Sequence, residues 1–340
     1  MIDNKGFALQ FHWLFILIAG GIILVFFFSV AGKQKALSDE KLSLSLVQSM
    51  DAIFEMAGAG EGTSQVIPLP KNGLGFSCTG TCDCFVQSGS ARKSFGNNII
   101  FSEDEVKAPE VIVWSLPWKV PFRVVNLIFV SDPETRKIFV FDDSPFAKDL
   151  KDKLAEIIPD NIIFEQMSFA EFNSVSFDGS DLTKVFFVGN SRPFIPSAFQ
   201  GKNIELLSIN PQVLAFYDVQ GSSLVPYDFI KYPADITWIL AAMFSADKNM
   251  FVCGLKSALQ RLNLVAKVFS DRAMFLAEKT DEMGLECAYP VDELDDLITE
   301  NVVGLSDDDL FSSISRINSV RDSLVVRNDQ LIERSCPELF

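Results

Sequence analysis

From Phe7 to Gly32 the chain carries no charged residue, and Trp13 to Phe28 holds only apolar residues and glycine. No other feature limits the fold as much. At 1.5 Å of rise per residue, about 20 helical residues cross a ~30 Å hydrocarbon core. Residues 13–32 therefore read as a single-pass transmembrane helix in contact with the lipid bilayer, preceded by a short tail over residues 1–12. Trp13 and His12 suit the interface at one end, and Lys33 and Lys35 suit the headgroups at the other. A cleaved secretory signal would have a shorter apolar region, roughly 7–15 residues, and a small-x-small cleavage site. Ala31-Gly32 offers only part of one.

The helix does not stop at the membrane. Leu42, Leu46, Met50 and Ile53-Phe54 recur every three or four positions, the spacing of one helical face. Residues 33–62 thus read as an amphipathic stalk, closed by Gly58-Ala59-Gly60-Glu61-Gly62. Lys5-Gly6-Phe7, followed at once by a long apolar helix, resembles the start of a type IV prepilin. The resemblance implies that a peptidase cuts after Gly6 and that Phe7 becomes the new N-terminus. It also implies a continuous rod, half in the membrane and half packed on a β-sheet, in a subunit that self-assembles. The family usually has Glu five residues into the mature chain, where this chain has Phe11. More loosely, the layout is similar to single-pass surface proteins of archaea.

Composition narrows the chemistry. The net charge is -16, and residues 1–32 hold one Lys and one Asp, so the body carries all of it. Such a surface repels nucleic-acid backbones, and no nucleic-acid partner is expected. The one histidine, His12, lies at the apolar run. Ser-His-Asp and Cys-His catalysis and His-containing zinc sites are thereby excluded from the body. No GxGxxG or GxxxxGK[ST] occurs. No cofactor or metal is expected.

Six cysteines remain: Cys78, Cys82, Cys84, Cys253, Cys287 and Cys336. The spacing in FSCTGTCDCF is not a standard zinc or iron–sulfur pattern. A disulfide at a hairpin end fits better, Cys78 with Cys82 or with Cys84, and Cys336 is placed to tie the C-terminal tail to Cys287. Cys253 falls within a helical pattern and reads as a buried apolar side chain. Free buried thiols and an all-thiolate metal site are the alternatives. Disulfides imply an oxidising compartment. Lys5 on one flank against Lys33, Lys35 and Lys41 on the other favours a cytoplasmic body by the positive-inside rule. The cysteines favour the reverse, and the expectation is an extracytoplasmic C-terminal body at the cell membrane.

The body divides by pattern. Residues 63–143 read as a β-rich domain with short segments at 64–69, 73–77, 84–88 and 98–102, and Trp114 and Trp118 seal its core. Phe122–Val130 and Lys137–Phe141 flank Ser-Asp-Pro-Glu-Thr and read as a β-hairpin. Residues 144–232 begin with a Ser144 cap and Pro145 at the first helical position of a helix running to Ile157. Ile162–Glu165, Val185–Val188 and Ile204–Ile209 follow as strands of a mostly parallel sheet, with Leu214–Val219 and Leu224–Phe229 as an edge hairpin. In pattern this region resembles Rossmann-like or flavodoxin-like α/β domains. Its loop Gly189-Asn190-Ser191-Arg192 could offer backbone amides and a cation to an anion, but a loop that needs Gly and Asn for its turn is the favoured reading. DDSP (142–145) and FDGSDL (177–182) read as caps and turns rather than cation sites. Residues 233–340 read as helical: Ala234–Ala246, Asn249–Lys279, Asp292–Glu300 and Asp307–Arg334, the last opened by Ser306. The fold class is mixed α+β and α/β behind a long N-terminal helix.

These features favour a membrane-anchored, non-catalytic cell-surface protein, built as a pilin-like structural or assembly subunit. A membrane-tethered enzyme or small-ligand-binding module using the α/β region is one alternative. A cytoplasm-facing scaffold is the other.

Overall fold

The chain opens with a single helix, α1 (Lys5–Ala59), in a computed structural model that describes residues 5–60, 62–70, 73–176, 179, 182–220, 223–232, 235–298 and 302–340. At 55 residues the helix is about 80 Å long. Its halves have different surroundings. Phe28 is 73% exposed, whereas Val47 is 1% exposed. The first half is long and apolar enough to cross a membrane, with a mean hydropathy of 2.8. In the second half Val47, Met50, Phe54 and Ala57 are buried, and their spacing puts them on one face. Each large side chain buried there contributes about 1.5–3 kcal/mol. Asn126 Nδ2 donates to the carbonyls of Ala57 and Gly60, satisfying acceptors that the helix end leaves open.

Nine strands follow: β1 (Ser64–Pro68), β2 (Leu74–Cys78), β3 (Cys84–Ser88), β4 (Ala91–Ser94), β5 (Ile99–Ser102), β6 (Glu105–Val106), β7 (Glu110–Val120), β8 (Phe122–Ser131) and β9 (Arg136–Phe141). Then come α2 (Pro145–Ile157), β10 (Glu165–Ser168), α3 (Phe169–Ser174), β11 (Thr183–Val188), β12 (Ile204–Ile209), β13 (Val213–Gln220) and β14 (Ser223–Lys231). The chain closes with α4 (Ile236–Phe244), α5 (Lys248–Glu282), α6 (Val291–Asp295) and α7 (Asp307–Glu333).

A central sheet has the order β1-β7-β8-β5, and a smaller antiparallel sheet has the order β4-β3-β2-β6. Side chains alternate across a strand, and the central sheet uses both faces. Val111, Val113, Ile128 and Val130 pack with α1 and with Phe76 and Val86 of the small sheet. Ile112, Trp114, Leu127 and Phe129 point the other way, into the largest core with α4 and α5. Trp238 of α4 is a hub of that core, edge-on to Trp118 at 5.3 Å, Phe251 at 6.2 Å and Phe101 at 6.4 Å. Pro117 sits within β7 opposite Asn126 of β8, beyond the stretch where β1 covers the other edge, so its missing N–H breaks no ladder.

The third sheet has the order β10-β9-β11-β12-β13-β14. β10, β9, β11 and β12 run parallel, and β13 and β14 return antiparallel as the edge hairpin. Ala147, Leu150 and Leu154 of α2 cover one face with Phe139 and Phe186. Phe172 of α3 and Phe199 cover the other, with Ile138, Val140, Val185 and Phe187. Ser144 caps α2, its Oγ accepting from Ala147 N at 3.2 Å.

Two sequence readings are corrected. Phe122–Val130 and Lys137–Phe141 are not a hairpin: β8 already has β7 and β5 on its two edges, while β9 lies between β10 and β11 in the third sheet. Residues 132–135 cross between the sheets, and β9 pairs within the third sheet. The strand read at Ile162–Glu165 begins only at Glu165, because Ile162 is buried in the core beside α2 and its N–H bonds back to Pro159 O at 2.9 Å.

Candidate functional site

Gly6 and Phe7 lie in the first turns of α1, at the far end of the apolar half from the folded body. The cysteines lie in that body and are all paired. Cys78 bonds Cys84, opposite partners in the β2–β3 register. Cys287 bonds Cys336, which ties the segment after α5 to the C-terminal tail. Cys82 bonds Cys253, and this corrects the reading of Cys253 as a buried apolar side chain. Cys82 takes a positive φ of 63° in the loop after β2, and the bond carries that loop onto the first turns of α5. Gly254, next along, allows the approach: a Cβ there would stand 2.4 Å from Phe101 Cε1.

The candidate anion loop follows β11. Gly189 holds a φ of +126°, and Asn190 and Ser191 direct their amides at one point. That point is already occupied by the chain's own Asp142, from the end of β9. Its Oδ2 accepts from Asn190 N at 2.7 Å, Ser191 N at 3.1 Å and Ser191 Oγ at 3.1 Å. Its Oδ1 accepts from Ser144 N at 3.0 Å. Burial alone would raise the pKa of this carboxyl. The hydrogen bonds from Ser144, Asn190 and Ser191 outweigh that and hold it below the usual carboxylate value. Arg192 is exposed and stands outside the knot. The DDSP motif and the Gly189–Ser191 loop are therefore two halves of one structural clasp. FDGSDL lies largely outside the described residues.

The sequence reading missed a row of buried charge. Lys137 of β9 is in register with Lys184 of β11, and Lys184 is in register with Glu205 of β12. Lys184 Nζ meets Glu205 Oε2 at 2.9 Å and donates to Ser245 O, beyond α4, at 3.2 Å. Lys137 Nζ meets Glu103 Oε1 at 3.2 Å and donates to Asp132 O and Thr135 O at 2.8 and 3.2 Å. Glu103 Oε2 in turn accepts from Asp132 N and Thr135 Oγ1. The row welds the third sheet to the end of β5. Burial pushes the Lys137 amine below its ordinary pKa despite Glu103. For Lys184 burial acts the same way, but Glu205, Glu103 and Asp104 together win and raise it. Asp104 is raised by its own burial and by Glu205 and Asp247. One signal was present in the sequence: each Lys is followed directly by four apolar residues, Ile138–Phe141 after Lys137 and Val185–Val188 after Lys184, so it opens a strand segment apolar on both faces, the mark of a sheet covered on both sides.

No protein-family model matches the chain, and no curated protein matches it.

Proposed function

We propose that the chain is a membrane-anchored, non-catalytic protein of the cell exterior, built as a pilin-like assembly subunit, with residues 13–32 in the bilayer and the body outside. One observation carries the reading. α1 is a single helix that is bare and apolar along its first half and buried on a β-sheet along its second. A cleaved signal has no reason to continue into the core of the protein it precedes, whereas an anchor that must also hold the body does. The pairing of all six cysteines supports an oxidising exterior over a cytoplasmic scaffold.

In this reading the third sheet is a doubly wound, Rossmann-like unit. Its support is the order β10-β9-β11-β12, with α2 and α3 on opposite faces, the arrangement of nucleotide-binding sheets. The crevice where such sheets take ligands lies at the ends of β9 and β11, and there the Asp142 clasp sits. That favours a structural use of the unit over a catalytic one.

The test is the intact mass of the protein extracted from its own membrane, alkylated before and after reduction. A chain starting at Phe7, with thiols that appear only on reduction, is the expected result. A chain lacking everything through about Gly32, or thiols that alkylate without reduction, overturns the reading.

A further inference from the structure

Against the buried charges lies a cavity of about 110 Å³, walled by the third sheet and the end of α4. This is roughly the space of three or four waters, which suits a small ion and excludes a peptide. Its lining is of two kinds. Phe186, Phe216, Tyr227 and Met243 form an apolar and aromatic wall, with the Phe216 and Tyr227 rings 6.1 Å apart. The charged lining is Lys184, Glu205 and Asp218, two carboxylates against one ammonium. That ammonium is already committed to Glu205 and Ser245.

The surroundings deepen the imbalance. The Tyr227 hydroxyl is pushed up to about 12 by burial and by Asp247, Asp218, Glu205 and Asp228. Lys248 offsets Asp228, which it meets at 2.9 Å. An anion entering here would face a negative field. Two lining carboxylates are too few oxygens for a bare divalent metal, which takes six or more. An organic cation is served on both counts, because aromatic faces attract alkylammonium groups and carboxylates balance their charge.

We propose that this cavity binds a small organic ammonium ion, its charge facing the carboxylates of Glu205 and Asp218 and its alkyl groups lying against Phe216 and Tyr227. The site gives the body a recognition role independent of the anchor, and it lies away from the Asp142 clasp. Asp218 is on the exposed side of β13 and Tyr227 is 45% exposed, so the cavity opens to solvent at these two residues.

The experiment titrates the full-length chain in neutral detergent with tetramethylammonium chloride by calorimetry, at ionic strength held constant with sodium chloride. Saturable one-to-one binding is expected, with no response to sodium acetate. Asp218→Asn should weaken it about tenfold and Tyr227→Leu roughly 3- to 10-fold, with the unliganded melting temperature of each variant recorded as the folding control. If Tyr227→Leu does not fold, Asp218→Asn decides alone. Absence of saturable binding overturns the proposal. So does binding that Asp218→Asn leaves unchanged, or an equal response to acetate.

Discussion

Lys137 and Lys184 stand side by side, in register on adjacent parallel strands and both buried. Two ammonium groups so placed repel each other, and the fold tolerates them because Glu103 faces one and Glu205 the other. Breaking a buried pair by removing one partner costs about 3–5 kcal/mol. Glu103→Ala should therefore destabilise by about that amount in denaturant unfolding. Glu103→Leu combined with Lys137→Met should recover a large part of the loss, since no charge is then stranded. A double variant no more stable than the single one would show that packing, not charge, dominates there.

The Asp142 clasp sets an acid limb. Its carboxyl is held below the unfolded value of about 3.9, so its contribution is complete above that pH and is lost as pH falls through the folded value. In Asp142→Asn the fall in melting temperature as pH drops below about 4 should be shallower than in the parent chain. Asp142→Ala should cost about 1 kcal/mol at neutral pH, below the roughly 1.5–3 kcal/mol of a buried charge-assisted bond because the group is only partly buried. It should also leave the amides of Asn190 and Ser191 open, so that millimolar phosphate stabilises this variant and not the parent. Gly189→Ala should be worse than either, because its Cβ would lie 2.0 Å from Asp142 Oδ1.

The disulfides should rank by the loops they close. Their sequence separations are 171 for Cys82–Cys253, 49 for Cys287–Cys336 and 6 for Cys78–Cys84. Chain entropy then assigns about 5, about 4 and about 2 kcal/mol. Paired Cys→Ser variants, compared by thermal unfolding, should follow that order.

Gly254 of α5 lies directly against Phe101 and Ile99 of β5. Gly254→Ala gains helix propensity but drives a methyl into Phe101, and overpacking of that kind costs about 1–3 kcal/mol. A net loss of stability is expected, and Phe101→Leu in the same chain should relieve part of it.

The apolar half of α1 contributes nothing to the core. A chain beginning at Lys33 should remain folded without detergent and melt within a few degrees of the parent body. Phe54→Ala in that shortened chain should cost about 3–5 kcal/mol, the loss of a buried ring.

The parts legible in the sequence were those written in local spacing. The apolar run, the stripe from Leu42 to Phe54 and the Ser144 and Ser306 caps each announce themselves within a few residues, and the helices they mark are present, although the buried face of α1 runs through Ser43, Val47, Met50 and Phe54 and leaves Leu42 exposed. What the sequence hid is written between distant residues. β8 and β9 look like hairpin arms because both are short apolar runs beside a Pro-containing turn, and only the competition for sheet edges separates them. Cys253 resembles any small apolar residue in a helix until the loop carrying Cys82 is laid over it. The Asp142 clasp joins motifs that sequence reading treats as unrelated turns.

The continuity of α1 has a geometric consequence. Each residue of a helix turns its successors by about 100° and advances them about 1.5 Å. One residue inserted between Gly32 and Ser43 would leave every contact on either side intact. It would also rotate the whole body by more than a quarter turn about the rod. The bearing of the body relative to whatever surrounds its apolar half is thus encoded as a phase, in the number of residues between the two halves.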